Sequence, residues 1–490
     1  MKKNDYLLIG FTVGFSLLFY KQNAGLNFLI FSLLFIILSW IRNKKLFHDK
    51  KIIGPLLALI ISAISVILTN SSLSIIANCL ALLYYAAIVL NAKNSIVVSL
   101  FASAISVAGS YVFVILDAIM RSKTKQGQTK PGNNFKLIMT SIVIILIILF
   151  YVVYRASNPL FATNTSWINL DFISFSWICF TLFGFLICYG LLYVKQFQSI
   201  NEWEGGLNNN LTKQPLKEEN YAIEIKAGLA LFGFLNLFLL VLNVGDICSF
   251  MLKNALPKGI SHSDFVHNGV GMIILSIVMA CSIILYLFRF NIQANQLSKP
   301  LIALVILWIV QSLVMITSTC LRNQIYIASY NLTYKRIGVY VWLFLAIVGL
   351  VLMIIKVRKN KTNWYLVKMN SLIWFYALII SSLVNWDKVI TNYNLSCKSY
   401  FEVDYYYLFS LSNSNLPELI NVTKNKNFKL LNHRLLNSNK YRHSYEYQQS
   451  YTELIHDKIF YYVLSHRNTW QSLNYVQHNN DKKINHQLLN

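Results

Sequence analysis

Asp246 stands near the end of the apolar run LFLLVLNVGDICSF, with Asn243 three residues before it and Asn236 seven before that. On a helix these spacings put all three on one face, a polar stripe that must look into a bundle or a cavity. Asp117 ends a second run, SLFASAISVAGSYVFVILD, in which Ser103, Ser106 and Ser110 form a small hydroxylated stripe. Ionisable groups inside lipid are expensive, so each acid is a candidate ion or proton site. The competing reading is an interfacial acid held by backbone amides or an Arg. Both acids lie in about the last turn of their runs, which favours that reading. Small residues at the serine spacing let helices approach closely, and packing explains them better than transport does.

Other constellations are less specific. His262, Asp264 and His267 in HSDFVH have a spacing that suits a metal, but no third ligand set or supporting shell accompanies them, so no metal and no cofactor is expected. RNQIYIASYNLTYKR (322–336) carries Arg at both ends and Tyr326, Tyr330 and Tyr334 every four residues. That spacing reads as an interfacial helix with basic ends reaching head groups; an anion or lipid-phosphate site is the sharper alternative. Catalytic triads and nucleotide motifs are absent from the sequence, and GGLNNN (205–210) reads as a flexible loop, not a phosphate loop.

The elements that must position these residues are membrane helices. The 490 residues are 56% hydrophobic and 13% charged, with a mean hydropathy of +0.50, more apolar surface than a water-soluble domain can hide. Twelve runs approach the length that spans a bilayer: Tyr6–Tyr20, Leu26–Ile41, Ile52–Thr69, Leu73–Asn91, Ile96–Met120, Leu137–Tyr154, Phe172–Val194, Ala227–Leu252, Val270–Phe288, Leu301–Cys320, Val339–Ile355 and Leu372–Val384. Trp40, Trp167, Trp364 and Trp386 fall near run ends, as an aromatic belt would place them. The first run meets no cleavage site and reads as an anchor. The fold class expected is all-α, a polytopic helical membrane protein. The net charge of +24 sits in short patches between runs, so it points to loops beside a membrane and not to nucleic acid. The cysteines suggest neither a disulfide framework nor a metal.

Lys and Arg orient the chain. Loops 121–136, 195–226 and 356–371 are rich in them, whereas 154–172, 253–269 and 321–337 carry fewer, so the first set is expected on the cytoplasmic side with the N-terminus, and the chain after the last span outside. Loop 42–51 is basic too, yet three runs separate it from loop 121–136, and an odd number cannot return the chain to one side. One element within 52–120 must be miscounted or re-entrant, which makes 11 to 13 spans the expectation. From Ser396 the chain turns polar and holds six of the nine His; 400–420 and 451–467 read as amphipathic helices. The segments expected are therefore 1–136, N-terminal membrane helices; 137–395, a membrane core; and 396–490, a small, mostly helical extramembrane region.

YRASNPLF (154–161), NVGDICSF (243–250), HNGVG (267–271), ASYNLTYKR (328–336), TNYNL (391–395) and VDYYYLFSLSNSNLPEL (403–419) follow one another in an order that resembles the bacterial multi-pass membrane proteins built on a domain of unknown function, of the kind found in Bacteroidetes and Firmicutes. The resemblance covers roughly 140–420. It implies a location in the bacterial cytoplasmic membrane and marks Arg155, Asn158, Pro159, Asp246, His267, Tyr330, Thr333, Arg336, Asn394, Asp404 and Pro417 as motif positions. It brings no activity. Asn331 stands where the resemblance implies Gly. By the charge count the motifs lie on, or at span ends opening to, the outer face, as a site or docking surface would require, with Pro159 and Asn158 ending a helix there. Three functions follow: a non-enzymatic envelope sensor or assembly partner, a transporter using Asp246 and Asp117, or an enzyme with acid and base among Asp246, His267 and Asp404. The bilayer and an envelope protein are the expected partners; the sequence leaves open whether the chain is an enzyme, and its oligomeric state.

Overall fold

The computed structural model describes residues 3–44, 49–90, 94–123, 140, 143, 147, 150–151, 153–155, 157–165, 174–211, 218–251, 262–290, 298–397, 403–423, 451–465 and 469–488. Among them regular structure is helical throughout, apart from one isolated antiparallel bridge between Asn210 and Lys361. The protein is an all-α polytopic helical protein, as its composition requires. In chain order the helices are α1 (Lys3–Phe19), α2 (Leu26–Arg42), α3 (Ile53–Thr69), α4 (Ser72–Leu90), α5 (Ile96–Ala108), α6 (Ser110–Lys123), α7 (Pro159–Asn164), α8 (Phe175–Leu192), α9 (Gln198–Gly206), α10 (Glu218–Met251), α11 (His262–Leu287), α12 (Ser298–Tyr330), α13 (Tyr334–Arg358), α14 (Asn363–Ser382), α15 (Trp386–Cys397), α16 (Tyr405–Ser410), α17 (Leu416–Thr423), α18 (Tyr451–Ser465) and α19 (Tyr475–Leu488).

Eleven of the twelve apolar runs coincide with described helices, and Leu137–Tyr154 lies, apart from isolated positions, outside the described residues, as does Trp167. Seven helices among the described residues are long and apolar enough to cross a bilayer: Lys50–Thr69, Ser72–Leu90, Phe175–Leu192, Ala222–Cys248, Ser298–Tyr330, Tyr334–Arg358 and Asn363–Ser382. α5 and α6 pass that test only as a pair, bent by 75°, and Asp5–Phe19, Leu26–Arg42 and Ile274–Leu287 are apolar but shorter. The bent pair falls inside 52–120, the interval where the charge count fails.

The chain divides into two compact units. The first comprises Met1–Asn201, Leu378–Asn385 and Tyr462–Asn490. Lipid gives helices no hydrophobic reason to associate, so close packing and polar contacts must hold them. Phe11 stacks on Phe31 and Phe35, Ser16 meets Thr181 at 2.7 Å, and Asn78 donates to Ser62 at 3.1 Å. Ser103 donates to Leu83 O and Ser106 to Ala102 O, and both are buried, with Ser110. At Gly190 a Cβ would stand 2.5 Å from Val107 Cα, so only glycine lets α8 come this close to α5. The serine stripe is a packing surface.

The second unit comprises Glu202–Ala377 and Trp386–Tyr461. Its apolar core runs through α10 to α14, around Phe232, Ile284, Val305, Ile309 and Ile316. A second apolar nucleus joins Ile327 and Leu332 to Ile390, Tyr405, Leu408 and Leu419. α12 runs ten residues beyond the expected Cys320 and absorbs RNQIYIASY. The interfacial helix expected over 322–336 is thus two helix ends: Tyr326 and Tyr330 close α12, and Tyr334 opens α13. The break is at Asn331, whose φ of 74° lies in the left-handed region that glycine favours and asparagine tolerates. Residues 205–210 are not a loose loop either. Leu211 N donates to Asn360 O, Thr362 N to Asn209 O and Lys361 Nζ to Asn210 Oδ1, which pins them to the α13–α14 turn.

Candidate functional site

The intramembrane stripe finds its partners on α12. Asn236 Nδ2 donates to Leu304 O at 3.0 Å and its Oδ1 accepts from Gln311 Nε2 at 3.0 Å. Asn243 Nδ2 donates to Gln311 O at 3.0 Å. Asp246 accepts from Ser318 Oγ at 2.7 Å and is paired with Arg322. Contacts advance in the same direction along both chains, so α10 and α12 run parallel, with α11 returning between them. Leu304, Gln311 and Ser318 recur every seven residues, about two turns, so one face of α12 matches one face of α10. Arg322 neutralises the acid, and α12 supplies the ion pair that the lipid demands. Two acceptors, Asn243 Oδ1 and Gln311 Oε1, are buried in this seam with no donor among the described residues.

At its C-terminal end α12 carries a second polar nucleus. Asn394, 2% exposed, brackets Leu332: its Oδ1 accepts from Leu332 N at 2.6 Å and its Nδ2 donates to Leu332 O at 3.0 Å. Arg336 Nη1 donates to Tyr330 O at 2.6 Å and to Asn331 O, while its guanidinium lies 4.2 Å from the Tyr326 ring centre. Asn323 Nδ2 donates to Arg336 O. Asp387, buried at the start of α15, accepts from Tyr334 Oη at 2.7 Å, from Ser414 Oγ at 3.2 Å and from Ser412 Oγ. Asp404 caps α16 by accepting from Tyr407 N, and Tyr407 Oη accepts from Tyr334 N at 2.9 Å. Thr333 is the N-cap residue of α13 without a side-chain cap bond. Pro417 is the second residue of α17, where no amide is needed.

Lys458 on α18 closes the nucleus. Its Nζ donates to Phe409 O at 3.1 Å, Leu411 O at 2.8 Å and Asn415 Oδ1 at 3.1 Å. Burial pulls its ammonium down to about 8, against the nearby charge of Asp387. Asn415, fully buried, donates to Thr391 Oγ1 and Leu408 O. Burial raises the Tyr407 phenol, with Asp387 and Asp404 adding to the rise and Arg336 opposing it. Lys388 and Glu418 pair at 3.1 Å. The whole arrangement is a clasp: four stretches of sequence, 323–336, 386–394, 403–418 and 451–458, held by buried hydroxyls, amides and one ammonium.

The other sequence-predicted positions lie elsewhere. Asp117 is in the first unit, 2.6 Å from Lys195 Nζ and bonded to Tyr189 Oη; its cation is a lysine, where an arginine or backbone amides were expected. Arg155, Asn158 and Pro159 also belong to the first unit. Arg155 donates to Tyr151 Oη at 3.4 Å. Asn158 accepts from Leu160 N at 2.9 Å with Pro159 at the first turn, so the pair starts α7. His262, Asp264 and His267 lie on α11, and their side chains are outside the described residues. Both arginines of 322–336 are engaged, Arg322 by Asp246 and Arg336 by backbone carbonyls, so neither presents a free fork to an anion.

Every motif position from Arg155 to Pro417 falls within the stretch, residues 55–422, that matches the family described as Domain of unknown function (DUF4153). The chain belongs to this family. The match begins inside α3, well before the motifs themselves, and ends in α17, so the family domain contains the α10–α12 seam and most of the clasp, while Lys458 comes from beyond it. No curated protein and no solved structure matches the chain. Asp387, Ser412, Ser414, Asn415 and Lys458 were not marked by the sequence, and Tyr334 was marked only as part of an interfacial face. WDKVITNYN, an acid and two amides directly after the last apolar run, is the signal that could have found the first of them.

Proposed function

We propose that the chain is a non-catalytic, multi-pass protein of the bacterial cytoplasmic membrane that acts as a sensor or assembly partner, with its motif-bearing clasp on the outer face. One observation carries this reading: the motif side chains of the second unit hold one another and the backbone, and so fix an extramembrane segment onto the ends of two membrane helices. Such a clasp makes a rigid platform, the form a docking surface takes. Asp404 is engaged by the Tyr407 amide and Asp246 by Arg322, which leaves neither placed as an acid or base facing a substrate. The sparse Lys and Arg of 253–269 and 321–337 support the outer orientation.

The transporter reading keeps one supporting observation, the two orphaned acceptors in the seam beside Asp246. A pair of variants separates the two. In a strain lacking the protein, Asn394→Ala abolishes complementation under the platform reading, while the double variant Asp246→Asn/Arg322→Gln complements. Under the transporter reading the double variant removes an ion-dependent flux. A phosphatase fusion and a fluorescent fusion after Asn490 test the orientation; fluorescence without phosphatase activity would put the clasp inside and reverse it.

A further inference from the structure

In the first unit, the turn after α18 is fastened to the turn between α1 and α2. Leu26 N, the first amide of the apolar helix α2, donates to Leu473 O at 2.9 Å. Asn23 N donates to Ser472 Oγ at 3.0 Å, Asn474 Nδ2 to Ala24 O at 3.3 Å, and Thr469 Oγ1 to Gln22 Oε1. At Gly25 a Cβ would stand 2.5 Å from Ser472 O, so the two backbones touch. Asn27, fully buried, braces the same turn from within by bonds to Leu18 O, Asn23 O and Gly25 N. This fixes the depth of the C-terminal segment: it lies level with the ends of apolar helices.

The side chains it presents there are large and apolar. Val463, Leu464, Trp470, Leu473 and Tyr475 are each more than half exposed, Trp470 at 56%. Leu17 on α1 and Leu33 on α2 are exposed as well. The segment's polar residues point inward: Asn474, Gln477 and Asn480 are buried, and α19 packs on α3, which is apolar enough to cross the bilayer. Trp and Tyr favour the boundary between head groups and acyl chains, where the ring is shielded and its polar edge stays wet. Exposed Lys482 and Lys483 follow on α19, long enough to reach phosphates. We propose that the surface formed by Val463, Leu464, Trp470, Leu473 and Tyr475 is an interfacial anchor, seated in the bilayer's head-group boundary and not in water. The C-terminal segment then has the lipid surface as its partner, a binding role distinct from the clasp.

The test is depth-resolved quenching of Trp470 in nanodiscs of phosphatidylcholine and phosphatidylglycerol in equal parts. The Trp470 signal is the difference between wild type and Trp470→Phe, a substitution that keeps the ring and the fold. Lipids brominated near the head-group end of their chains are expected to quench it by about half, and lipids brominated near the chain terminus much less. An unquenched Trp470 component overturns the anchor, and exposed Trp374 on α14 shows whether the protein is in lipid at all. A photo-crosslinking amino acid at position 470 in native membranes gives the second arm. A lipid-mass adduct supports the anchor; a discrete protein adduct makes the patch a protein interface and overturns it.

Discussion

Replacing Asn394 by alanine removes the side-chain partners of both backbone polar groups of one buried residue. Leu332 N and Leu332 O are bonded by this carboxamide at 2.6 and 3.0 Å, with no other partner among the described residues, and Leu332 itself is 8% exposed. A buried donor or acceptor left without a partner costs about 1–3 kcal/mol, so the pair costs about 2–6 kcal/mol. Water admitted to the space of the lost amide lowers this toward about 3 kcal/mol, roughly a hundredfold in the equilibrium for local opening. Hydrogen exchange of peptides covering 331–336 in nanodiscs measures that equilibrium directly. Asn394→Ala should exchange roughly a hundredfold faster; Asn394→Asp, which keeps the acceptor for Leu332 N but loses the donor to Leu332 O, should also be deprotected. Ser396→Ala, at an exposed position two residues on, should exchange as wild type. Wild-type protection in Asn394→Ala would show that the linker between α12 and α13 is held by something other than this side chain, and the clasp would lose its central bond.

Lys458 gives the nucleus a pH signature. Its folded-state pKa of about 8 lies below the ordinary lysine value of 10.5, so between these values the unfolded chain holds a proton that the folded chain has lost. Stability gained from this group therefore rises with pH from about 8 to about 10.5 and is flat below that window. The difference in melting temperature between wild type and Lys458→Met should change across the window in that direction, and a pH-independent difference would refute the buried ammonium. Gly25→Ala should push Ser472 away and free the C-terminal turn, costing about 1–3 kcal/mol of local stability and opening 465–475 to protease; unchanged cleavage would mean that the contact is slack. Asp246→Asn or Arg322→Gln alone should destabilise by about 3–5 kcal/mol and the double variant by much less, read as a double-mutant cycle on thermal melting; additive losses would refute the pair. Single cysteines at Lys44 and Ser122, in a background without the native ones, should be labelled by an impermeant thiol reagent only after the membrane is opened to the cytosol.

What the sequence made legible depended on whether a relation is local. Asn236, Asn243 and Asp246 are separated by seven and three residues, and helical periodicity alone puts them on one face. Their partners stand 68–76 residues further on, across α11, and no period along the chain links them. The same holds for the clasp: Asn394 and Asp404 came from the order of motifs, but the meeting of Asp387 with Tyr334, Ser412 and Ser414 is tertiary. Lys458 looks like one charge on an amphipathic helix until three carbonyl oxygens close around it. Asn331 is the intermediate case. Glycine was the residue implied there, and a φ of 74° explains both that implication and why asparagine replaces it.

The charge count fails inside 52–120, and the bent pair in that interval offers a physical reason. A straight crossing over 96–120 would leave loops 42–51 and 121–136 on opposite sides, with basic residues on both. The helix breaks instead at Gly109, turning by 75°. Arg42 donates to Leu192 O, which sets the ends of α2 and α8 side by side, and Lys195 bonds Asp117, which brings the last turns of α6 to the start of the 195–226 loop. We infer that α5 and α6 dip into the bilayer and return to the side they left. The span count between the two loops then becomes even, and loops 42–51, 121–136 and 195–226 share one face, as the attraction of Lys and Arg to the cytoplasmic side requires. Asp117 is in this reading the acid that fastens a re-entrant hairpin to the end of α8, which accounts for its ion pair without a transported ion.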